Sequence, residues 1–237
     1  MKKHLPNALT CCNLIAGCIA TYYALQGQYQ GAMAAILTGA VFDFFDGFAA
    51  RLLHVASPIG KELDSLADDI TFGFAPAAVV FSLLRAAIPT TGLTGTAAIL
   101  LPFAAFLIAA FSALRLAKFN LDERQTTTFI GLPTPANALF WAALAVGTEG
   151  HPATQASWFV PALCVGILLS CFLLVSEIPM FALKFKHYGW ADNRLRYSFV
   201  LLGIALLALL GWTGFAWIIP LYIACSIAQH IFTRRRV

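Results

Sequence analysis

Eight stretches of this chain are apolar and nearly free of charge, and they leave few ways to fold. They lie near 8–26, 30–53, 62–87, 95–117, 133–149, 156–183, 195–212 and 214–232. A helix of about 20 apolar residues matches the hydrocarbon thickness of a bilayer. Inside lipid the backbone must satisfy its own polar groups, which restricts spans to helices or closed barrels. A barrel would show short segments of alternating polarity, and these runs do not alternate. The chain is 60% hydrophobic and only 11% charged, too little polar surface to cover a soluble core of this size. The expected fold class is therefore all-α, a polytopic integral membrane bundle of about eight transmembrane helices.

Positive charge sets the expected orientation. With the N-terminus in the cytoplasm, fourteen of the fifteen Lys and Arg residues fall on the inner side, and only Arg85 falls outside. Basic residues concentrate in cytoplasmic loops, so this bias predicts an even number of spans with both termini cytoplasmic. Membrane lipids with anionic head groups are the expected surface partners, and no nucleic acid is. The basic, aromatic stretch 184–196 and the basic stretch 233–236 read as interfacial anchors. Six cysteines, Cys11, Cys12, Cys18, Cys164, Cys171 and Cys225, lie in or beside apolar runs without CxxC spacing, and read as small apolar residues. Loops are short, no repeat is evident, and the first run has no convincing cleavage site. The chain reads as a single membrane domain.

Five aspartates interrupt this apolar background within residues 41–73: Asp43, Asp46, Asp64, Asp68 and Asp69. Carboxylates inside a span are costly and tend to mark function. At about 100° per residue, Asp43, Asp46, Gly47, Ala50 and Arg51 share an arc of about 140° on the second helix. Gly60, Asp64 and Asp68 rise along one face of the third. A short turn joins the two helices, so they are antiparallel neighbours and two carboxylates on each can face one another. Four like charges in a low dielectric need a positive partner, and Arg51 and Lys61 are too few. Hard divalent cations, Mg²⁺ or Mn²⁺, suit such oxygen ligands and share them with phosphates. Two such ions could clamp a diphosphate and steady a leaving phosphate. Gly47 and Ala50 leave room either for a bulky ligand or for close helix packing.

These residues fit the pattern D-x2-D-G-x2-A-R-x8-G-x3-D-x3-D through Asp43, Asp46, Gly47, Ala50, Arg51, Gly60, Asp64 and Asp68. The pattern resembles the signature of the CDP-alcohol phosphotransferases, membrane enzymes that move a substituted phosphate from a CDP-linked donor to an alcohol and release CMP. The resemblance implies two divalent metals held by Asp43, Asp46, Asp64 and Asp68, room for cytidine at Gly47 and Ala50, and Asp68 as general base. It also implies donor contacts at Arg51 and Gly60, and a homodimer. A carboxylate that takes the proton of an alcohol is chemically apt, since the alcohol is a poor nucleophile. A cation transporter built on the same aspartates is the alternative from another class.

The flanking stretches 5–17, 63–77, 112–120 and 129–138 are similar to the phosphatidylserine synthase branch of that family. The implied substrates are CDP-diacylglycerol and L-serine, and glycerol phosphate or an inositol phosphate is the alternative acceptor. Residues 1–185 would form a six-helix core, followed by two further helices over 186–237. Thr71, Asp69 and Phe48 stand where that branch commonly has Ser, an apolar residue and Arg. Serine carries a carboxylate, which Arg can grip with two hydrogen bonds. Arg115 and Asn120 are the expected acceptor contacts, with Lys118, Lys61 and Ser65 beside them. For the basic residues, a topological role at a cytoplasmic helix end is the alternative. Asn7, Thr10 and Asn13 could reach the cytidine or diphosphate, or serve as caps and interhelical bonds. An integral protein of the cell membrane is expected, its active site at the cytoplasmic face.

Overall fold

The computed structural model describes residues 4–55, 57–122, 129–181 and 189–234. Helices α1 (Leu5–Leu25) and α2 (Tyr29–Leu52) form a tight hairpin. Helix α3 (Pro58–Asp68) continues through a π-helical turn, Asp69–Phe74, into α4 (Ala75–Ala87). A fourth rod comprises α5 (Gly95–Leu100), a 3-10 segment and α6 (Leu107–Leu121). Then come α7 (Thr134–Thr148), α8 (Phe159–Val175), α9 (Trp190–Leu210) and α10 (Phe215–Arg234).

Counted as rods, the helices among the described residues overlap the eight apolar runs, the sixth only in part. Five stretches are long and apolar enough to cross a membrane: Leu5–Leu25, Tyr29–Leu52, Pro58–Thr91, Gly95–Leu121 and Asn193–Ile231. The last contains a chain reversal at Gly211, whose φ is 57°. Helices α7 and α8 have 15 and 17 residues, shorter than an upright span of the hydrocarbon core requires.

The distribution of side-chain size is that of a protein solvated by lipid. Leu168 and Phe172 of α8 and Leu209 of α9 are exposed, whereas the buried face of α1 carries Thr10, Asn13, Ala16, Gly17, Ala20 and Ala24. Helices in lipid gain little from burying leucine against leucine, and small residues let their backbones approach. The chain is an integral membrane protein, built as an all-α bundle.

One such approach fixes the third rod. Thr71 of the π turn is wedged between Gly17 of α1 and Gly39 of α2. A Cβ at Gly17 would collide with Thr71 Oγ1, and one at Gly39 would stand 2.5 Å from its Cγ2. The Thr71 hydroxyl donates to the Asn13 carbonyl at 2.9 Å. Helix α3 starts four residues before the expected position. Ser57 caps it by accepting from the Gly60 N–H at 3.1 Å, and Pro58 supplies the preset φ of a first helical residue.

The sixth apolar run is cut short. Helix α8 ends at Val175, and Pro179–Met180 (β2) pairs antiparallel with Phe129–Ile130 (β1). Proline removes a donor and biases the residue before it away from helix. Helices α9 and α10 fold back on one another, bringing the rings of Phe199 and Tyr222 to 5.9 Å. The six cysteines are all free. Lys2, Lys3, Arg124, Lys184, Lys186, Arg235 and Arg236, and with them much of the two expected anchors, lie outside the described residues.

Enlarging the α1–α2 contact tests this packing. Gly39→Val should destabilise the detergent-solubilised protein by about 1–3 kcal/mol, the usual cost of overpacking. Thermal unfolding that matches the wild type would show that Thr71 is not held in that slot.

Candidate active site

Capping at Ser57 sets where α3 begins, and the Thr71 wedge sets how it is rotated. Together they turn Asp64 and Asp68 toward α2. One oxygen each from Asp43, Asp64 and Asp68 lies within 4.8 Å of the others. Carboxylates this close, away from water, are held together only with a proton or a cation between them. Asn13 of α1 donates from Nδ2 to Asp68 Oδ1 at 3.1 Å, which orients that carboxyl.

Asp46 stands apart from this trio. It is buried, and its Oδ2 accepts from the Thr10 hydroxyl at 2.7 Å. Its charge still acts on Asp43, Asp64 and Asp68. Four carboxylates on two antiparallel helices, three converging, form the hard oxygen donor set that Mg²⁺ or Mn²⁺ favours. The site fits a divalent metal.

Beside the trio opens a cleft of about 520 Å³. Asn7, Thr10, Asp46, Gly47, Ala50, Gly60, Lys61 and Asp64 all line it. Asn7, Thr10, Gly47, Ala50 and Gly60 were the expected donor contacts, and they meet here across α1, α2 and α3. A Cβ on Gly47 would find only the Arg51 guanidinium nitrogens, at 3.5 and 3.9 Å. Gly47 therefore opens onto the cleft and is not spent on helix packing. Gly60 serves the cap: a Cβ there would stand 2.9 Å from Ser57 Oγ and 3.2 Å from Asn7 Oδ1. Arg51 itself is exposed at the cleft's edge.

The expected acceptor residues divide. Lys61 Nζ donates to the Asn120 carbonyl at 3.0 Å, and Asn120 Nδ2 donates to Ser65 Oγ at 2.7 Å. These three tie α3 to α6. Lys118 is exposed. Arg115 is buried at 7% exposure, its guanidinium 5.4 Å from the Phe119 ring centroid, with Asp68 and the Tyr222 phenol as its electrostatic neighbours. Asp69 keeps a buried Oδ1 without a hydrogen-bond partner. His54, Val55 and Ser57 also line the cleft. Sequence reasoning read them only as a turn, and the sole local signal was the brevity of that turn.

Residues 3–169 match the CDP-alcohol phosphatidyltransferase family, and the chain belongs to it. Several relatives are named CDP-diacylglycerol–serine O-phosphatidyltransferase. That of Bacillus subtilis is 37% identical over 133 residues, 56% of this chain and 70% of that one. That of Mycobacterium leprae is 35% identical over 185 residues, 74% and 57% of the two chains. That of Helicobacter pylori is 32% identical over 136 residues, 56% and 54%. The chain thus spans more than two thirds of the Bacillus relative and less than two thirds of the other two.

Mn²⁺ titration of the purified protein, followed by electron paramagnetic resonance, reads the trio directly. Asp64→Ala should weaken Mn²⁺ binding at least tenfold, because the remaining carboxylates no longer close around the ion. Equal affinity in the variant would place the metal elsewhere.

Proposed function

We propose that this protein transfers the phosphatidyl group of CDP-diacylglycerol to the hydroxyl of L-serine, giving phosphatidylserine and CMP. The observation that carries this reading is the convergence of Asp43, Asp64 and Asp68 beside a cleft floored by Gly47 and Ala50. The serine activity named for the relatives selects among the alcohols that such a site could serve. The sister acceptors, glycerol phosphate and an inositol phosphate, bring a phosphate and would call for a richer arginine cluster.

In this reading Asn7, Thr10, Gly47, Ala50, Arg51 and Gly60 hold the CDP moiety in the cleft, and the acyl chains of the donor run out between helices into lipid. Asp43, Asp46, Asp64 and Asp68 would hold two divalent cations, Mg²⁺ or Mn²⁺, which when bound supply positive charge to the donor diphosphate. Asp46 then shares its carboxyl between that role and Thr10. Asp68, oriented by Asn13, takes the proton of the serine hydroxyl. The serine Oγ–P bond forms as the P–O bond to CMP breaks. Arg115 binds the serine carboxylate, near enough to Asp68 to bring the hydroxyl to its base. Lys61, Ser65 and Asn120 act by holding α3 against α6, and Lys118 has the weakest claim on the acceptor.

The same reading places the active site at the cytoplasmic membrane face, with eight spans and both termini inside. The charge bias and the eight rods support that topology. Residues 1–185 form the catalytic core and 186–237 an added helical hairpin, consistent with a family match that stops at residue 169. A homodimer belongs to this proposal through family resemblance alone.

Two measurements test it. With Mg²⁺ or Mn²⁺, CDP-diacylglycerol and a panel of labelled alcohols, label should enter lipid from serine, with stoichiometric CMP. Chelator or Asp68→Asn should lower the rate by 10²-fold or more, the scale of a lost general base. Label entering from another alcohol instead would overturn the serine assignment, and undiminished turnover in chelator would overturn the metal. Arg115→Ala should raise the KM for serine more than that for the donor. An unchanged serine KM would remove Arg115 from the acceptor site.

A further inference from the structure

Buried polar atoms nearly always find partners, and each one left alone costs stability. Five unpartnered side-chain atoms lie on only two helices of this protein. Ser112 Oγ and Arg115 Nε belong to α6, and Thr134 Oγ1, Asn137 Nδ2 and Asn137 Oδ1 belong to α7. Their residues are almost wholly enclosed, at 0%, 7%, 0% and 1% exposure for Ser112, Arg115, Thr134 and Asn137. An asparagine with neither end of its amide bonded is poorly explained as a packing residue.

Helices α6 and α7 touch one another, and helical register puts these residues on corresponding turns. Ile108 of α6 and Trp141 of α7 share a hydrophobic cluster. One turn along α6 from Ile108 is Ser112, and one turn back along α7 from Trp141 is Asn137. The next steps are Arg115 and Thr134, spaced to share those faces. Arg115 has Tyr222 of α10 as an electrostatic neighbour, and Tyr222 packs in one cluster with Leu132, just before α7. The Tyr222 hydroxyl donates to the Phe181 carbonyl at 2.9 Å, which fixes the ring. On the opposite side, Ser112 borders the π turn, its Cβ 3.0 Å from where a Gly73 Cβ would stand. Helices α6, α7 and α10 thus border this region, and Asp68 is the other electrostatic neighbour of Arg115.

We propose that Ser112, Arg115, Thr134 and Asn137, closed off by Tyr222, form the acceptor chamber behind the metal site. It takes a small polar molecule bearing one carboxylate. The guanidinium meets that carboxylate. The Asn137 amide and the two hydroxyls can donate or accept, as an amino alcohol requires. This inference rests on the serine transferase reading and deepens it. Two consequences are new. Asn137, with Thr134, sets acceptor choice, and the last helix, beyond the family match, contributes a wall to the acceptor site.

The test uses the purified full-length protein, with L-serine as the probe. Asn137→Leu keeps the branching of the side chain and removes both orphan atoms, and Ser112→Ala removes a third. Asn137→Leu should raise the serine KM at least tenfold and Ser112→Ala about threefold, with the KM for CDP-diacylglycerol within twofold of wild type. Serine should raise the thermal unfolding temperature of the wild type and not of Asn137→Leu. Without serine, neither variant should unfold at a lower temperature, because the atoms removed bond to nothing in the protein. If serine is transferred normally and both variants keep the wild-type serine KM, the chamber is overturned while the enzyme assignment stands. If Asn137→Leu unfolds early and Ser112→Ala keeps the serine KM, the atoms are structural and the chamber is again overturned. If the wild type uses another alcohol and both variants raise its KM, the serine assignment fails and the chamber stands.

Discussion

Like charges brought together away from water repel strongly, and this bundle brings three carboxylates together between two helices, with a fourth, Asp46, nearby. One oxygen each of Asp43, Asp64 and Asp68 lies within 4.8 Å of the others. Arg115 has Asp68 as an electrostatic neighbour, but one positive charge is too little for three converging carboxylates, so cations from outside the chain are the natural counter-charge. The rest of the site is scaffold that enforces this contact. Gly17 and Gly39 admit Thr71, Thr71 sets the rotation of the π turn, and the Ser57 cap starts α3 in register with α2. A fold that spends packing on crowding acids gains a seat for cations.

In the proposed reading the same scaffold separates two substrates of different character. The cleft assigned to the donor lies among α1, α2 and α3, where Gly47 and Ala50 line it. The side assigned to the acceptor lies among α6, α7 and α10, where polar side chains are enclosed. Asp68 sits between the two, bonded from α1 by Asn13 and reached from α6 by Arg115. The clamp of Lys61, Ser65 and Asn120 holds these halves at a fixed spacing. A lipid-linked nucleotide and a water-soluble amino acid can thus approach from different directions and meet at one carboxylate.

Much of this was legible in the sequence, for identifiable reasons. Apolar runs located the helical rods among the described residues, five stretches of which are long and apolar enough to cross a membrane, because span length is dictated by the bilayer. The spacing of Asp43, Asp46, Gly47 and Ala50 gave one face of α2 because a regular helix has a fixed period. Regularity also marks where reasoning stopped. The π turn at Asp69–Phe74 shifts the phase of everything after Asp68, and no local residue announces it. Lys61, Ser65 and Asn120 were legible as polar groups near the site, but their bonds to one another depend on how α3 meets α6. Asn137 lies in a stretch, 129–138, that resembles the phosphatidylserine synthase branch, but nothing singled it out, and Tyr222 carried no signal at all. An asparagine near a helix start and a tyrosine in an apolar run acquire meaning only once the fold shows the one buried without partners and the other an electrostatic neighbour of Arg115.

The account stands or falls on where the cations bind. Anomalous diffraction from crystals soaked in Mn²⁺ locates them without reference to turnover. The account predicts density between α2 and α3, within coordinating distance of Asp43, Asp64 and Asp68. Crystals that take up Mn²⁺ only at other positions, or show these carboxylates turned away from one another, would contradict it.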